Sequence, residues 1–403
     1  MIQGFRFGGV CAGIKKNTAD LALITSDLPA AAAGVVTRNL FRASCVERSA
    51  ALLPGAGIRA IVANSGNANA IAGAEEVTRD ARMAAAAALA LGVDPRAVLT
   101  ASTGAIGVPL PIVAIEAAMP QLVSSLNTDP AVVARAIRTT DRRDKIAHRD
   151  FRGAQGTARI LGIAKGAGMI HPCMATMLAF VLTDAQVAPD ELDRAIREAV
   201  DESFHMISVD RDTSTNDAVY ALANGMSAVR IDGASAETFR GALAEVLAEL
   251  AKAIAGDGEG ATRRICVRVS GAKDARSARL VARAPVESNL FKAAVFGRFP
   301  GWERFLAAVG ARCAQLDLPL LRDRVSLTID GVTVFRDGAP SGATAVLSDQ
   351  AESVYELDLG LGTATATAWG CDLSYEYVTI NAETKLARHA GGAPDAAPVR
   401  GQR

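Results

Sequence analysis

Hydrophobic and polar positions along the chain change period repeatedly, and that change predicts a mixed α/β protein. Ile58–Ala63 is a short apolar run closed by the turn-forming Asn64-Ser-Gly-Asn67 cluster, the mark of a strand that ends in a turn. Thr78–Leu91, rich in alanine and leucine, predicts a helix stopped at Gly92 and followed by Asp94-Pro95. Val98–Ser102 predicts another strand, running into a turn at Thr103-Gly104. Helical spacing returns over Pro189–Asp201 and Ala236–Ile254, the latter ending near Gly256-Asp-Gly-Glu-Gly260. Strands dominate thereafter: Arg264–Val269 alternates, Val325–Phe335 reads as a hairpin around Asp330-Gly331, and Tyr355–Trp369 extends the β region. The tail from Ala387 to Arg403, rich in Gly, Ala, Pro and Arg, is expected to be disordered. No repeat is visible, and no composition break marks a linker between Phe151 and Asp184.

A chain of 403 residues can bury a substantial core, and zero formal net charge argues against nucleic acid or an anionic membrane as partner. The arginines at Arg142, Arg143 and Arg149 alternate with Asp141, Asp144 and Asp150, which reads as a solvated face. The longest alanine-rich run, Met83–Val93, is too short to span a bilayer. Six cysteines lie far apart without a CxxC pair, and the N-terminus lacks a hydrophobic targeting core; the expectation is a reduced, cytoplasmic protein. Four histidines without shared spacing give no metal signature, and no phosphate-binding glycine loop is present. The chemistry is therefore expected to come from side chains, with no metal and no resident cofactor.

Lys165-Gly-Ala-Gly-Met-Ile-His-Pro-Cys-Met-Ala-Thr-Met-Leu178 concentrates that chemistry. A cation, flexible glycines and a small residue followed by threonine converge there. Were the Ala175–Thr176 bond cut, Thr176 would own both a hydroxyl and a free α-amine, whose pKa of about 8 suits a general base. The plain alternative is a helix start capped by Thr176. A thiol nucleophile at Cys173 with His171 as its base is disfavoured, because Pro172 intervenes. A buried apolar thiol and a structural histidine fit better.

The segment resembles the self-cleaving ornithine acetyltransferases, or glutamate N-acetyltransferases, of arginine biosynthesis. The resemblance runs from about Gly4 to about Thr384 and is carried in order by six further motifs. They are Gly8-Gly-Val-Cys-Ala-Gly-Ile-Lys15, Asn64-Ser-Gly-Asn-Ala-Asn-Ala70, Ala101-Ser-Thr-Gly-Ala-Ile-Gly107, Asp212-Thr-Ser-Thr-Asn-Asp217, Gly258-Glu-Gly-Ala-Thr262 and Cys371-Asp-Leu-Ser-Tyr-Glu-Tyr-Val-Thr-Ile-Asn381. It implies a layered α/β fold, cut at Ala175–Thr176 into segments 1–175 and 176–403 of one intertwined body. It implies Thr176 as nucleophile, with Thr103 and Gly104 as oxyanion hole. It further implies Lys165 on the substrate carboxylate, Glu259 on the side-chain amine of ornithine, and Asn381 beside it. The plain readings of these residues are a Ser-Thr-Gly turn, a surface lysine, a solvated turn glutamate and an asparagine near a strand end. The expected partners are amino-acid substrates and the protein's own other half, two of each chain. Some members of that family also accept acetyl-CoA, and the sequence leaves the acyl donor open.

Departures from the family pattern fall on the pocket rim. Arg142 stands where the family has a substrate-binding threonine, and could fork a carboxylate. Leu386 replaces a terminal Ser or Thr, with seventeen residues beyond it. Arg211 replaces a glycine, Cys173 an asparagine, and Phe299-Pro-Gly-Trp-Glu-Arg304 and Lys292-Ala-Ala depart as well. These changes suggest a specialised paralogue with an altered acyl donor or acceptor. A hydrolase of N-acyl amino acids using the same Thr176 is the alternative, and a non-enzymatic relic a third.

Overall fold

The computed structural model describes residues 1–171, 177–233, 235–347 and 349–389, the stretch 383–389 by backbone alone. Among the described residues two sheets form. The first contains β1 (Phe5–Val10), β2 (Leu21–Val36), β3 (Gly55–Asn67), β4 (Val98–Ala105), β5 (Lys145–Gly153), β6 (Gly156–Lys165), β7 (Leu178–Thr183) and β9 (Ala218–Ala223). Its order is β4-β3-β2-β9-β7-β6-β5, with β1 pairing on β2. The second runs β13-β12-β11-β14-β10-β15-β8. These are β8 (Ile207–Ser208), β10 (Arg264–Ala272), β11 (Ser326–Ile329), β12 (Val332–Arg336), β13 (Ala339–Pro340), β14 (Glu352–Asp358) and β15 (Ala364–Cys371).

β7 and β9 are buried on both faces, so each reads as an unbroken apolar run rather than an alternating one. Side-chain alternation then divides each strand between two cores. Ala179, Val181, Val219 and Ala221 face the larger core, whereas Leu178, Phe180, Leu182, Tyr220 and Leu222 face the smaller one behind the sheet. The larger core takes in α5 (Pro189–Asp201), α6 (Ala236–Gly256) and the inner face of the second sheet, which α7 (Ala275–Val286) also covers. On the opposite side, α2 (Glu76–Leu91) and α3 (Ile112–Ser124) close a third cluster, and α4 (Ala131–Ile137) packs into the smaller core. α1 (Ser44–Ala50), α8 (Asn289–Phe296) and α9 (Trp302–Gln315) complete the shell, and α10 (Tyr375–His389) follows β15.

The glycine-stopped and proline-led helices lie where the sequence puts them: α5 matches Pro189–Asp201, and α2 ends at Leu91 with Gly92 left-handed. The two predicted turns are different. Asn64–Asn67 and Thr103-Gly104 lie inside β3 and β4, because these strands pair in parallel through Ser65↔Thr103 and Gly66↔Gly104. Gly66 (φ +97°) and Gly104 (φ +137°) absorb the irregular register there. Helix α10 continues through His389, so residues 387–389 are helical, contrary to expectation. Asn381 accordingly sits in a helix rather than near a strand end.

β7 and β9 follow the proposed break at 175–176 yet lie between β2 and β6, which precede it. Segments 1–175 and 176–403 thus share one sheet. Across that sheet α6 packs so closely that a Cβ on Gly162 would come within 2.6 Å of Leu250. Leu250→Ala empties this contact and should cost about 2–5 kcal/mol of stability, read as a lower thermal unfolding midpoint at unchanged secondary structure.

Candidate active site

Sheet register gathers the chemistry at one end of the first sheet. Lys165, the last residue of β6, pairs with Leu178, and Leu178 pairs with Ala218. Met177, Lys165 and Asp217 are thereby brought to one place. Thr176, with Pro172, Cys173, Met174 and Ala175, lies outside the described residues. Leu178 opens a strand, not the helix that an N-capping Thr176 would need.

Lys165 is buried, not a surface lysine. Its ammonium donates to Thr139 Oγ1 at 2.8 Å and Thr103 Oγ1 at 3.4 Å. A hydroxyl that accepts from an ammonium keeps its own O–H free to donate onward. Thr103 is therefore primed as a donor toward the cleft it lines with Gly104. Only glycine fits at 104, since a Cβ there would come within 2.3 Å of the Gly66 carbonyl carbon. Burial lowers the pKa of Lys165, and the Asp141 carboxylate 4.0 Å away opposes that shift.

Beneath Lys165 lies a buried ion network. Lys145 Nζ donates to Asp141 Oδ1 at 2.7 Å and to Asp257 Oδ2 at 2.6 Å. Asp141 also accepts the Gly166 N–H at 2.6 Å, which fixes the start of the Lys165–Leu178 segment. Burial alone would raise the pKa of Asp141, but Lys165 and Lys145 overcome it and hold the carboxyl well below the usual carboxylate range.

Glu259 is anchored by its N–H to the Ala167 carbonyl (2.8 Å), and its carboxylate accepts from Asn381 Nδ2 at 2.7 Å. Its oxygens lie directly over Gly168, where a Cβ would approach within 2.5 Å. The glycines of Lys165-Gly-Ala-Gly168 therefore serve Glu259 as well as the loop. Glu259 and Asn381 line the same cleft as Thr103 and Gly104, a cavity of about 250 Å³, suited to one amino acid. Glu259 is indeed a half-exposed turn residue, but one held by Asn381 and facing the cleft.

Two of the expected site residues lie off the cleft wall. Arg142 does not line the cleft. Its guanidinium turns to Asp257 Oδ1 (3.4 Å) and the Ala261 carbonyl (3.1 Å), because the buried Asp257 carboxylate lies behind it. Lys165 also stands behind the lining hydroxyls rather than in the cleft wall. Leu386 falls in the part of α10 described by backbone alone. Arg211 adopts φ +71°, which explains why glycine suits the position, and an arginine there carries backbone strain of about 1–2 kcal/mol. His171 is half-buried with Nδ1 3.5 Å from Ser208 Oγ, in keeping with a structural role.

The sequence reading passed over Asp217. Wholly buried, it accepts the Met177 N–H at 2.8 Å, one residue after Thr176, and desolvation pushes its pKa well up. The Asp212–Asp217 motif contained that signal, but its geometry needs the β7–β9 pairing.

A hydroxyl donor backed by a buried cation, beside a carboxylate–amide pair able to hold an amine, is the equipment of an acyltransferase. The chain belongs to the ArgJ family, whose model matches residues 6–385. It is 48% identical over 389 residues to the arginine biosynthesis bifunctional protein ArgJ of Symbiobacterium thermophilum, covering 94% of this chain and 96% of that one. Among solved structures it is similar to the ArgJ protein of Bacillus halodurans (33% identity, TM-score 0.47, 51% of this chain and 98% of that one). The ornithine acetyltransferase of Mycobacterium tuberculosis, solved with ornithine, is 34% identical (TM-score 0.38, 42% of this chain and 92% of that one). Among the described residues no cluster of three or more His, Cys, Asp or Glu could hold a metal, and no helix is long and apolar enough to cross a membrane.

The ion network sets a pH dependence. The folded pKa of Asp141 is depressed, so its stabilisation is complete above the unfolded value of about 3.9 and is lost as pH falls through and below it. Lys145→Met removes the cation shared by the buried Asp141 and Asp257; Lys165 and Arg142 still face one carboxylate each, so the cost should be about 3 kcal/mol near pH 7, the low end for a broken buried pair. Denaturant titrations should show a smaller difference from wild type near pH 4, because without Lys145 the Asp141 carboxyl protonates more readily.

Proposed function

We propose that this enzyme cleaves its own Ala175–Thr176 bond. It then carries an acetyl group from N-acetylornithine to glutamate through an ester on Thr176. In maturation the Thr176 hydroxyl attacks the Ala175 carbonyl, the peptide nitrogen leaves, and water opens the resulting ester. The products are chains 1–175 and 176–403 and a free α-amine at Thr176. In turnover that amine accepts the hydroxyl proton while the oxygen attacks the acetyl carbonyl. Ornithine departs with a proton, and the glutamate α-amine takes the acetyl group in the reverse sense.

One observation carries this reading. The Thr103 hydroxyl, held by Lys165, and the Glu259–Asn381 pair line a single cleft together with Gly168 and Met169 of the Lys165–Leu178 segment. In this reading Thr103 and Gly104 stabilise the oxyanion, a contribution of about 3–4 kcal/mol per donor. Glu259 with Asn381 receives the side-chain ammonium of ornithine, and Lys165 supports the α-carboxylate end through Thr139. Arg142 faces Asp257, which removes one reason to expect a substrate pair other than the ordinary one. Acetyl-CoA, as an alternative acyl donor, would enter as a substrate rather than a resident cofactor. Two copies of each cleaved chain, in the cytoplasm, complete the proposal.

Incubation with N-acetylornithine tests it. Ornithine release should depend on glutamate, with N-acetylglutamate formed in equal amount. Without an acceptor, acid quenching should trap one acetyl group on the Thr176 peptide. Steady release of acetate without glutamate would instead make the protein a hydrolase of N-acyl amino acids. Glu259→Gln should raise the KM for N-acetylornithine about tenfold or more.

A further inference from the structure

Two motifs so far without a chemical role, Gly8–Lys15 and Asn64–Ala70, meet at the cleft. Asp20 accepts the N–H groups of Ala12 (2.6 Å), Ile14 (2.7 Å) and Lys15 (2.8 Å), and so bends the first motif back on itself. The stem of Lys15 then crosses Gly66 of the second. A Cβ on Gly66 would come within 2.7 Å of Lys15 Cγ, so the glycine leaves the space the lysine occupies. The ammonium donates to the Arg138 carbonyl at 2.8 Å and lines the cleft beside Thr103 and Thr139. An ammonium has three donors, of which the Arg138 carbonyl takes one, while the Asp20 and Asp141 carboxylates act on it from beyond ion-pair distance.

Among the described residues lining the cleft, Lys15 is the one cation and Glu259 the one anion. The proposed exchange brings two amino acids of opposite side-chain charge to this one cleft in turn. Their α-ends are alike and can share the Thr139 and Lys165 side. Their side chains cannot share a partner, since a carboxylate placed on Glu259 meets a like charge. We propose that Lys15 is the specificity-determining contact for the side-chain carboxylate of the acidic amino acid that accepts the acetyl group. This assignment rests on the exchange reading above. Lys15 takes no part in the covalent step: the Thr176 ester bond breaks as the acceptor's N–C bond forms, and the proton passes to the Thr176 oxygen. Its contribution is to give the second substrate the counter-ion that Glu259 gives the first.

The test compares glutamate with glutamine, its neutral isostere, as acceptors from N-acetylornithine, in wild-type protein and in Lys15→Met. Wild type should prefer glutamate by about tenfold or more in kcat/KM, a difference set by one ion pair. In Lys15→Met the KM for glutamate should rise by about the same factor, with a smaller change for glutamine, so that the preference collapses toward unity. Equal losses for both acceptors would make Lys15 a contact for the shared α-end or a structural residue, and would overturn the assignment. Wild type using glutamine as readily as glutamate would also overturn it, a result that needs no variant to fold. Wild type forming no ornithine with any acceptor would sink the exchange reading itself, and this assignment with it.

Discussion

The placement of β7 between β6 and β9 is the constraint on which the site depends. Hydrogen bonds on both sides lock Leu178 to Lys165 and to Ala218. A shift by one residue would turn Leu178, Phe180 and Leu182 into the core that now takes Ala179 and Val181, so two apolar faces police the register. Because both faces are buried, the strand cannot slide, and Leu178 stays opposite Lys165 and Ala218. The precision the chemistry needs is thus delivered by the core rather than by the loop.

Beneath that frame lies a compact set of balanced charges. Lys145 sits between Asp141 and Asp257, Asp141 fixes the Gly166 N–H, and Lys165 reaches up to two threonine hydroxyls. Such a network is costly to desolvate and is weak evidence for stability as such. Its use here is geometric: it aims a cation at Thr103 from behind while keeping that cation out of the cleft. The cleft itself can then present one lysine and one glutamate to substrates of either charge.

Much of this was legible in the sequence, for physical reasons that differ by element. Helices α2 and α5 follow from local signals, a glycine stop and a proline start, and these act within a turn of the chain. Thr103, Gly104, Glu259 and Asn381 stand out through their motifs, and these residues line one cleft. What local reading misplaced was set by distant partners. Asn64–Asn67 resembled a turn, but parallel pairing with β4 makes it strand. Arg142 resembled a carboxylate fork, but Asp257, 115 residues away in sequence, claims its guanidinium. Lys15 could not be singled out, because its meaning depends on the space above Gly66, which exists only once β3 and β4 have paired.

The central claim is that Thr176 becomes an N-terminal nucleophile by cleavage within one folded body. The most direct test is the intact mass of the purified protein under denaturing conditions, with N-terminal sequencing of each species. The account requires two chains that co-purify under native conditions, the second beginning at Thr176. A single 403-residue chain, unchanged after prolonged incubation, would contradict it.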